Sequence, residues 1–398
     1  MKILIKSLKI IGFLWLALIF YFLGYLVGHK NLELDQNYQP KIINTSLGKP
    51  KEVDFAIFWD AWKVVTEKYV GEYSPEKMIY GAIKGMVDSL GDPYSVFLEP
   101  GDNQMFLEDL SGEIEGIGAE LSLKEGQLII VAPLDDSPAQ KAGLKAQDKI
   151  LKINDEDTLE FTLDEAVSKI RGPSGTTVSL LVDRTGFTSP QEFVIKRETI
   201  VIKSVKWEEK GSVGYIKISQ FGEDTKTLAQ KAAQELSAKN LQGIVLDLRN
   251  NPGGYLDASI DVASLFMAGG VVVREVDKNG RQELIETTLK GQLTNNKIVI
   301  LINGGSASAS EIVAGALKDS RGALLVGERT FGKGSVQELE NLAKGAALKL
   351  TVAKWLTPSG KTINEEGITP DIEIKQSEED ETAGLDTPLM KALEEAVK

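Results

Sequence analysis

Lys297-Ile298-Val299-Ile300-Leu301-Ile302, then Asn303-Gly304-Gly305, then Ser306-Ala307-Ser308-Ala309-Ser310-Glu311-Ile312 is the stretch that decides the fold. Five of its first six residues are apolar and do not alternate with polar ones, the pattern of a strand buried on both faces. Two glycines break that run, and Ser308 then stands at the start of a helical pattern. The same order recurs on either side. Val213 to Ile218, Gly243 to Leu248 and Ala323 to Val326 read as strands, and Thr225 to Ser237, Asp257 to Met267 and Ser310 to Leu317 as helices. Strands alternating with helices predict an α/β core around a largely parallel sheet, spanning 201–375. Ligands of such sheets gather beyond the C-terminal ends of the strands. That rule collects Arg249-Asn250-Asn251-Pro252-Gly253-Gly254, Gly304 to Ser308 and Gly327 to Gly334 in one place.

Composition limits the chemistry available there. The chain has no cysteine and a single histidine, His29, beside an apolar N-terminal run. A Ser-His-Asp triad, a Cys-His pair and an HExxH zinc site are all excluded. If Ser308 is a nucleophile, its base is another amine, and a lysine can supply one. The balance of 45 basic and 58 acidic residues, a net −13, repels phosphate backbones and argues against nucleic acid as a partner.

Residues Ile10 to Gly28 carry no charge and span about 28 Å as a helix, enough for one membrane crossing. Lys2, Lys6 and Lys9 precede the run and Glu33 and Asp35 follow it, so the N-terminus is expected in the cytoplasm and the remainder outside. A cleaved signal peptide is the rival reading; Leu26-Val27-Gly28 lacks its small-x-small site. The expected order is therefore a stub and membrane anchor over 1–30, a linker over 31–51 and a helical cap over 52–110. A compact module over 111–200, the core, and an acidic tail with a short helix over 376–398 complete an α/β and α+β multidomain chain. In the cap, Phe58, Trp62, Val65 and Tyr69 share one helical face, which reads as helix core.

Within 111–200, Ser137-Pro138-Ala139-Gln140-Lys141-Ala142-Gly143-Leu144 followed by Asp148-Lys149-Ile150-Leu151-Lys152-Ile153-Asn154 resembles the helix-turn-strand passage of a PDZ domain. Upstream, Gly116-Ile117-Gly118-Ala119-Glu120-Leu121 resembles the loop and strand that receive a peptide carboxylate in that family. The resemblance implies peptide binding at Gly116, Ile117, Gly118, Ala119 and Leu121. Arg171, after the second helix of this module, reads as its cap or as a link between peptide binding and catalysis.

The whole C-terminal half resembles the C-terminal processing peptidases, or tail-specific proteases. The matching segments are Asp247 to Gly254, Ser306 to Ile312, Val326 to Gly334, Thr357-Pro358-Ser359-Gly360-Lys361 and Gly367-Ile368-Thr369-Pro370-Asp371. Gly81 to Met86 and Leu90 to Pro100 extend the likeness into the cap. The resemblance implies a serine endopeptidase with a Ser-Lys dyad, without metal or cofactor. In it Ser308 is the nucleophile, Lys333 the general base 25 positions later, and Gln337 the residue that orients the lysine. The oxyanion would be held by backbone N–H groups of Ala309 and of Gly254 in preference to Gly253. A free lysine titrates near ~10.4, so Lys333 must be desolvated to act as a base, with Phe331 and Val336 as candidate walls. Ser306 and Ser310 read as helix caps. The implied substrates are proteins or peptides with free apolar C-termini, and a homo-oligomer is compatible with the reading. Two rivals are a non-catalytic PDZ scaffold on a peptidase fold and a nucleotide-binding loop at Gly327 to Lys333. The second fails where Gly334 replaces the Ser or Thr needed for Mg²⁺.

Overall fold

The computed structural model describes residues 12–22, 32–34, 40–42 and 54–398, save 125, 135, 378, 381 and 382. They fall into two compact units, Met1–Gly81 and Ala82–Lys398.

In the first unit residues 12–22 are helical, with Phe13, Trp15, Phe20 and Tyr21 exposed. The rest of the apolar run Ile10 to Gly28 lies outside the described residues, as does His29. Among the described residues no helix is long and apolar enough to cross a membrane. The expected linker contains a short ladder, Leu32–Leu34 paired antiparallel with Pro40–Ile42. The helix Ala56–Lys68 corrects the reading of its aromatic stripe as core: it buries none of its residues. Phe55, Phe58, Trp59 and Trp62 cover one another instead, and Trp59 and Tyr69 remain 61% and 60% exposed. Periodicity shows which face is apolar but not whether a second layer covers it.

The second unit carries two larger sheets and a small module. In the module the strands run Gln191–Lys196, Thr177–Asp183, Lys149–Ile153, Gln127–Pro133, Ala119–Lys124, all antiparallel, with Glu156–Asp157 beside Lys149–Ile153. Leu128, Ile130, Ile150, Ile153, Val178, Leu180 and Val182 close its core. Each such buried side chain contributes roughly 1.5–3 kcal/mol relative to exposure. Its helices begin where the sequence caps them. Ser137 accepts from the Gln140 N–H ahead of Pro138, and Thr162 forms a capping box with Glu165 before Leu163–Ile170. Entry and exit strands pair with each other, Glu113–Gly116 against Glu198–Val201, which ties off the module at its base.

The core sheet has the order Val205–Lys210, Val213–Ile218, Gly243–Asp247, Lys297–Ile302, Leu324–Gly327, Ile372–Glu373. The first pair is antiparallel and all the others are parallel, as the strand-helix alternation predicts. One face carries Thr225–Ser237, Leu256–Phe266 and Ala309–Arg321 over Ile216, Ile244, Leu246, Ile298 and Ile300. The opposite face, with Val245, Val299 and Leu301, is covered by Ala392 and Ala396 of the C-terminal helix Thr387–Ala396. Burial on both faces is why these strands show no alternation.

A second sheet was not foreseen. It runs Gln282–Glu286, Val271–Asp277, Ala347–Leu356, Ser335–Asn341, and Val96–Leu98 joins it by pairing with Ala347, Leu348 and Lys349. The segment assigned to a helical cap therefore supplies a strand to this sheet. The following helix, Pro100–Ser111, is fastened beside it by an Asn103 side-chain hydrogen bond to the Gly345 carbonyl.

Candidate active site

The parallel strand Lys297–Ile302 ends in a turn braced by two serine hydroxyls. Ser306 Oγ donates to the Leu248 carbonyl at 2.8 Å and accepts from the Asn303 N–H at 3.0 Å. Ser310 Oγ donates to the Asn251 carbonyl at 2.9 Å, and the Ala307 N–H reaches the same oxygen at 3.0 Å. Ser306 and Ser310 are fully buried. They are not helix caps, as expected from sequence, but braces that lock this turn to the neighbouring Leu248–Asn251 segment.

Ser308 sits between them at the N-cap of Ala309–Arg321, half-buried, with φ 54° and ψ −114°. Those dihedrals are normally left to glycine and cost a non-glycine residue on the order of 1–3 kcal/mol. The same sharp strand-to-helix turn lifts the nucleophile of other serine hydrolases out of the backbone.

Across from it lies the Gly253-Gly254 turn. A Cβ on Gly253 would stand 2.9 Å from Ser308 Cβ, and one on Gly254 would stand 2.3 Å from the Phe221 carbonyl oxygen. Both have positive φ, 107° and 137°, so only glycine fits. The Gly253 N–H is taken by Asn251 Oδ1 at 2.9 Å. The N–H groups of Gly254 and Ala309 have no acceptor among the described residues.

Lys333 arrives on the loop between Leu324–Gly327 and Ser335–Asn341. One fully buried carboxylate fixes that loop to the Ser308 turn. Glu311 Oε2 accepts from the N–H groups of Ser308 and Lys333, both at 2.9 Å. Glu311 Oε1 accepts from the Gly332 N–H at 2.8 Å and Thr330 Oγ1 at 2.5 Å. The Lys333 carbonyl also receives the Trp355 indole N–H at 3.1 Å. These bonds leave the N–H groups of Gly332 and Lys333 occupied, so the loop is no phosphate cradle.

Burial pushes the Lys333 amine down to about 8, helped by the charge of Lys349, while Asp92 and Glu311 pull the other way. Its Nζ lies 5.1 Å from the centre of the Tyr94 ring. Of the two walls named from sequence, Val336 lines the cleft, whereas Phe331 is 57% exposed. Phe331 is therefore not what desolvates the lysine.

Ser308, Lys333, Gln337, Gly253, Gly254 and Ala309 all border one cleft of about 550 Å³, so sequence-predicted residues from three separate segments do converge. One expected contact is missing. Gln337 Nε2 donates to Ser335 Oγ at 2.7 Å and Thr351 Oγ1 at 3.3 Å, and the amide makes no hydrogen bond to Lys333. Lys333 lies ahead of the strand that carries Gln337, so strand periodicity does not link the two. Sequence reasoning passed over Glu311, Lys349 and Tyr94. The Ser308-x-x-Glu311 spacing of a capping box was the available signal for the first.

The predicted peptide-binding residues lie elsewhere on the second unit. Ala119–Lys124, which contains Leu121, is an edge strand of its sheet. The loop before it, Gly116 to Gly118, has its Ile117 and Gly118 carbonyls bonded to Ala139 and Leu134, while the N–H groups of Ile117 and Gly118 have no acceptor among the described residues. Arg171 pairs with Asp109 at 2.9 Å, and Asp109 borders the cleft.

A strained serine at a helix start, a half-buried lysine and a six-stranded module with an open edge define the class: an α/β serine peptidase carrying a PDZ domain. Comparison with known proteins agrees in three places. The model of peptidase family S41 matches residues 212–374, a PDZ domain matches 129–184, and the N-terminal domain of activating protease CtpB matches 21–101. The carboxy-terminal-processing protease of Bartonella bacilliformis is 41% identical over 339 residues, 84% of this chain and 78% of that protein. Carboxy-terminal processing protease CtpB of Bacillus subtilis is 41% identical over 324 residues, 79% of this chain and 67% of that one. Among solved structures, the photosystem II D1 C-terminal processing protease superposes with a TM-score of 0.53 at 28% identity, over 86% of this chain and 96% of that one. The chain belongs to peptidase family S41 and is one of its PDZ-containing C-terminal processing proteases.

Proposed function

We propose that this protein is an extracytoplasmic endopeptidase that reads the free C-terminal tail of a protein through its PDZ domain and cuts the chain with Ser308 and Lys333. The observation that carries the reading is the convergence of a strained Ser308, a half-buried Lys333 and two unpartnered N–H groups on one cleft.

The chemistry follows from those groups. Neutral Lys333 Nζ accepts the Ser308 hydroxyl proton as Oγ attacks the peptide carbonyl. The Gly254 and Ala309 N–H groups bind the oxyanion, helped by the positive end of the Ala309–Arg321 helix. Gly253 is unsuited to that task because its N–H is already spent on Asn251. The protonated lysine then gives its proton to the leaving amine, and a water activated by the same lysine releases the acyl group. Gln337 braces the cleft wall through Ser335 and Thr351 rather than holding the amine directly.

Tail recognition uses the edge strand Ala119–Lys124. An extended peptide adds alongside it, its carboxylate meeting the loop N–H groups and its last side chain an apolar pocket beside half-buried Leu121. A long unfolded substrate ending in apolar residues should be cleaved several-fold faster as the free acid than as the C-terminal amide. Equal rates would remove the tail-reading function, and no cleavage of either would favour the PDZ scaffold over the enzyme.

The anchor rests on the uncharged run Ile10 to Gly28 and its lysine-rich upstream flank. The helical, outward-facing aromatics of residues 12–22 suit a lipid environment. A reporter fused after Lys398 should be active outside the cytoplasm. Activity confined to the cytoplasm would refute the topology.

A further inference from the structure

We propose that Lys349 forms a carboxylate-receiving subsite in the cleft, which selects substrates bearing an acidic group close to the bond being cut. This rests on the reading of the cleft as the substrate channel. Lys349 lies on the strand Ala347–Leu356, directly opposite Leu339, and two residues further on Thr351 stands opposite Gln337. Gln337, Leu339 and Lys349 all line the cleft, so this face of the hairpin forms part of its floor. Phe106 forms another wall, and the Lys349 ammonium lies 5.3 Å from the centre of its ring.

What is missing around that ammonium makes the case. Lys349 is half-buried, yet it has no ion pair or hydrogen bond to its side chain among the described residues. The acidic residues on the neighbouring strand, Glu338 and Glu340, alternate onto the exposed opposite face. Asp109, the one carboxylate that borders the cleft among the described residues, is held by Arg171. The remaining charged group at the cleft is Lys333, a second cation that is neutral only in its base form and offers Lys349 no counter-charge. A chain with net charge −13 thus keeps an uncompensated cation in its substrate channel. Burial lowers the Lys349 pKa, the mark of a charge that has lost water and gained an aromatic ring but no counter-charge. A substrate carboxylate would supply the missing counter-charge in a partly desolvated site, where a charge-assisted hydrogen bond is at its strongest.

The carboxylate has two sources, an Asp or Glu side chain or the free end of a short substrate. The test measures binding to the full chain carrying Ser308→Ala, so its outcome does not depend on the dyad. Fluorescent, C-terminally amidated peptides of Ala and Leu carry one Glu, or one Gln, at successive positions. At one position Glu should bind about tenfold tighter than Gln. The ratio should fall to about one when Lys349→Met is added, survive Lys349→Arg, and shrink with added salt. A second arm compares the neutral peptide as free acid and as amide. A free-acid preference there that is partly lost in Lys349→Met assigns the subsite to the terminal carboxylate. The PDZ contribution persists in that variant, which separates the two sites. Retention of the preference in Lys349→Arg shows that its loss in Lys349→Met is not misfolding. The proposal is overturned if neither arm shows an acid preference that depends on Lys349.

Discussion

Turnover of an unfolded substrate should fall by about 10⁴-fold or more in Ser308→Ala, and by a comparable factor in Lys333→Ala. The double variant should lose little beyond either single one, since a nucleophile and its base act as a unit. Lys333→Arg is the sharper test. It keeps the charge near Tyr94, but a guanidinium does not deprotonate and cannot take the serine proton. The pH profile follows from the direction of the lysine shift. With the amine lowered from 10.5 to about 8, the base form is the minority at neutral pH. The value of kcat/KM should therefore climb about tenfold per unit below 8 and flatten above it. The same shift has a stability consequence of defined sign. Between about 8 and 10.5 the unfolded chain binds more protons at this site than the folded one, so the penalty for burying the cation is relieved as pH rises through that window. Near-native turnover by Lys333→Arg, or a flat profile from pH 6 to 9, would refute the mechanism.

The parts of the structure that were legible in the sequence are those in which local pattern and tertiary environment agree. The apolar run Lys297–Ile302 is a strand buried on both faces, and the expected parallel order around it is the one found. The caps of the PDZ helices stand in the sequence as Ser137-Pro138 and Thr162-x-x-Glu165. The second sheet was harder to read. Its strands are half-exposed and interrupted by register shifts, and its Val96–Leu98 strand is three residues long. The burial of the Phe58 and Trp62 face could not be judged because helical period is blind to what lies opposite. At the site, residue types placed Ser308, Lys333 and the glycine turn. The choice between Gly253 and Gly254, however, turns on a single hydrogen bond from the Gly253 N–H to Asn251 Oδ1, which no local pattern announces. The role of Ser306 and Ser310 depends likewise on carbonyls about 60 positions away in the chain.

The second large effect is expected at Glu311, which is fully buried and does not line the cleft. Its two oxygens accept four hydrogen bonds, and the pair at Oε2 comes from the N–H groups of Ser308 and Lys333, the two residues of the proposed dyad. The carboxylate thus sets the separation of Ser308 from Lys333 and holds the strained Ser308 turn that an unsupported helix start would relax. Glu311→Ala would leave buried donors without acceptors and a void beside them, a cost of about 3–5 kcal/mol. Glu311→Gln is nearly isosteric and more informative. Its amide offers one acceptor oxygen and one NH₂ group, so whichever way it turns, one of the two donor pairs faces other donors. If the NH₂ replaces Oε2, the link between the dyad residues is lost. If it replaces Oε1, the Gly332 N–H is orphaned and the Thr330 hydroxyl, which already accepts from the Ile368 N–H, must rotate its proton away to accept from the amide. Either arrangement should lower unfolding stability by about 2–3 kcal/mol and kcat by about 10²-fold or more. A positioning role makes a further demand that a merely structural one does not. Peptide affinity, measured in a Ser308→Ala background, should stay close to that of the unaltered Glu311 chain while kcat collapses. A folded Glu311→Gln chain with kcat within a few-fold of native would show that the dyad keeps its geometry without this carboxylate.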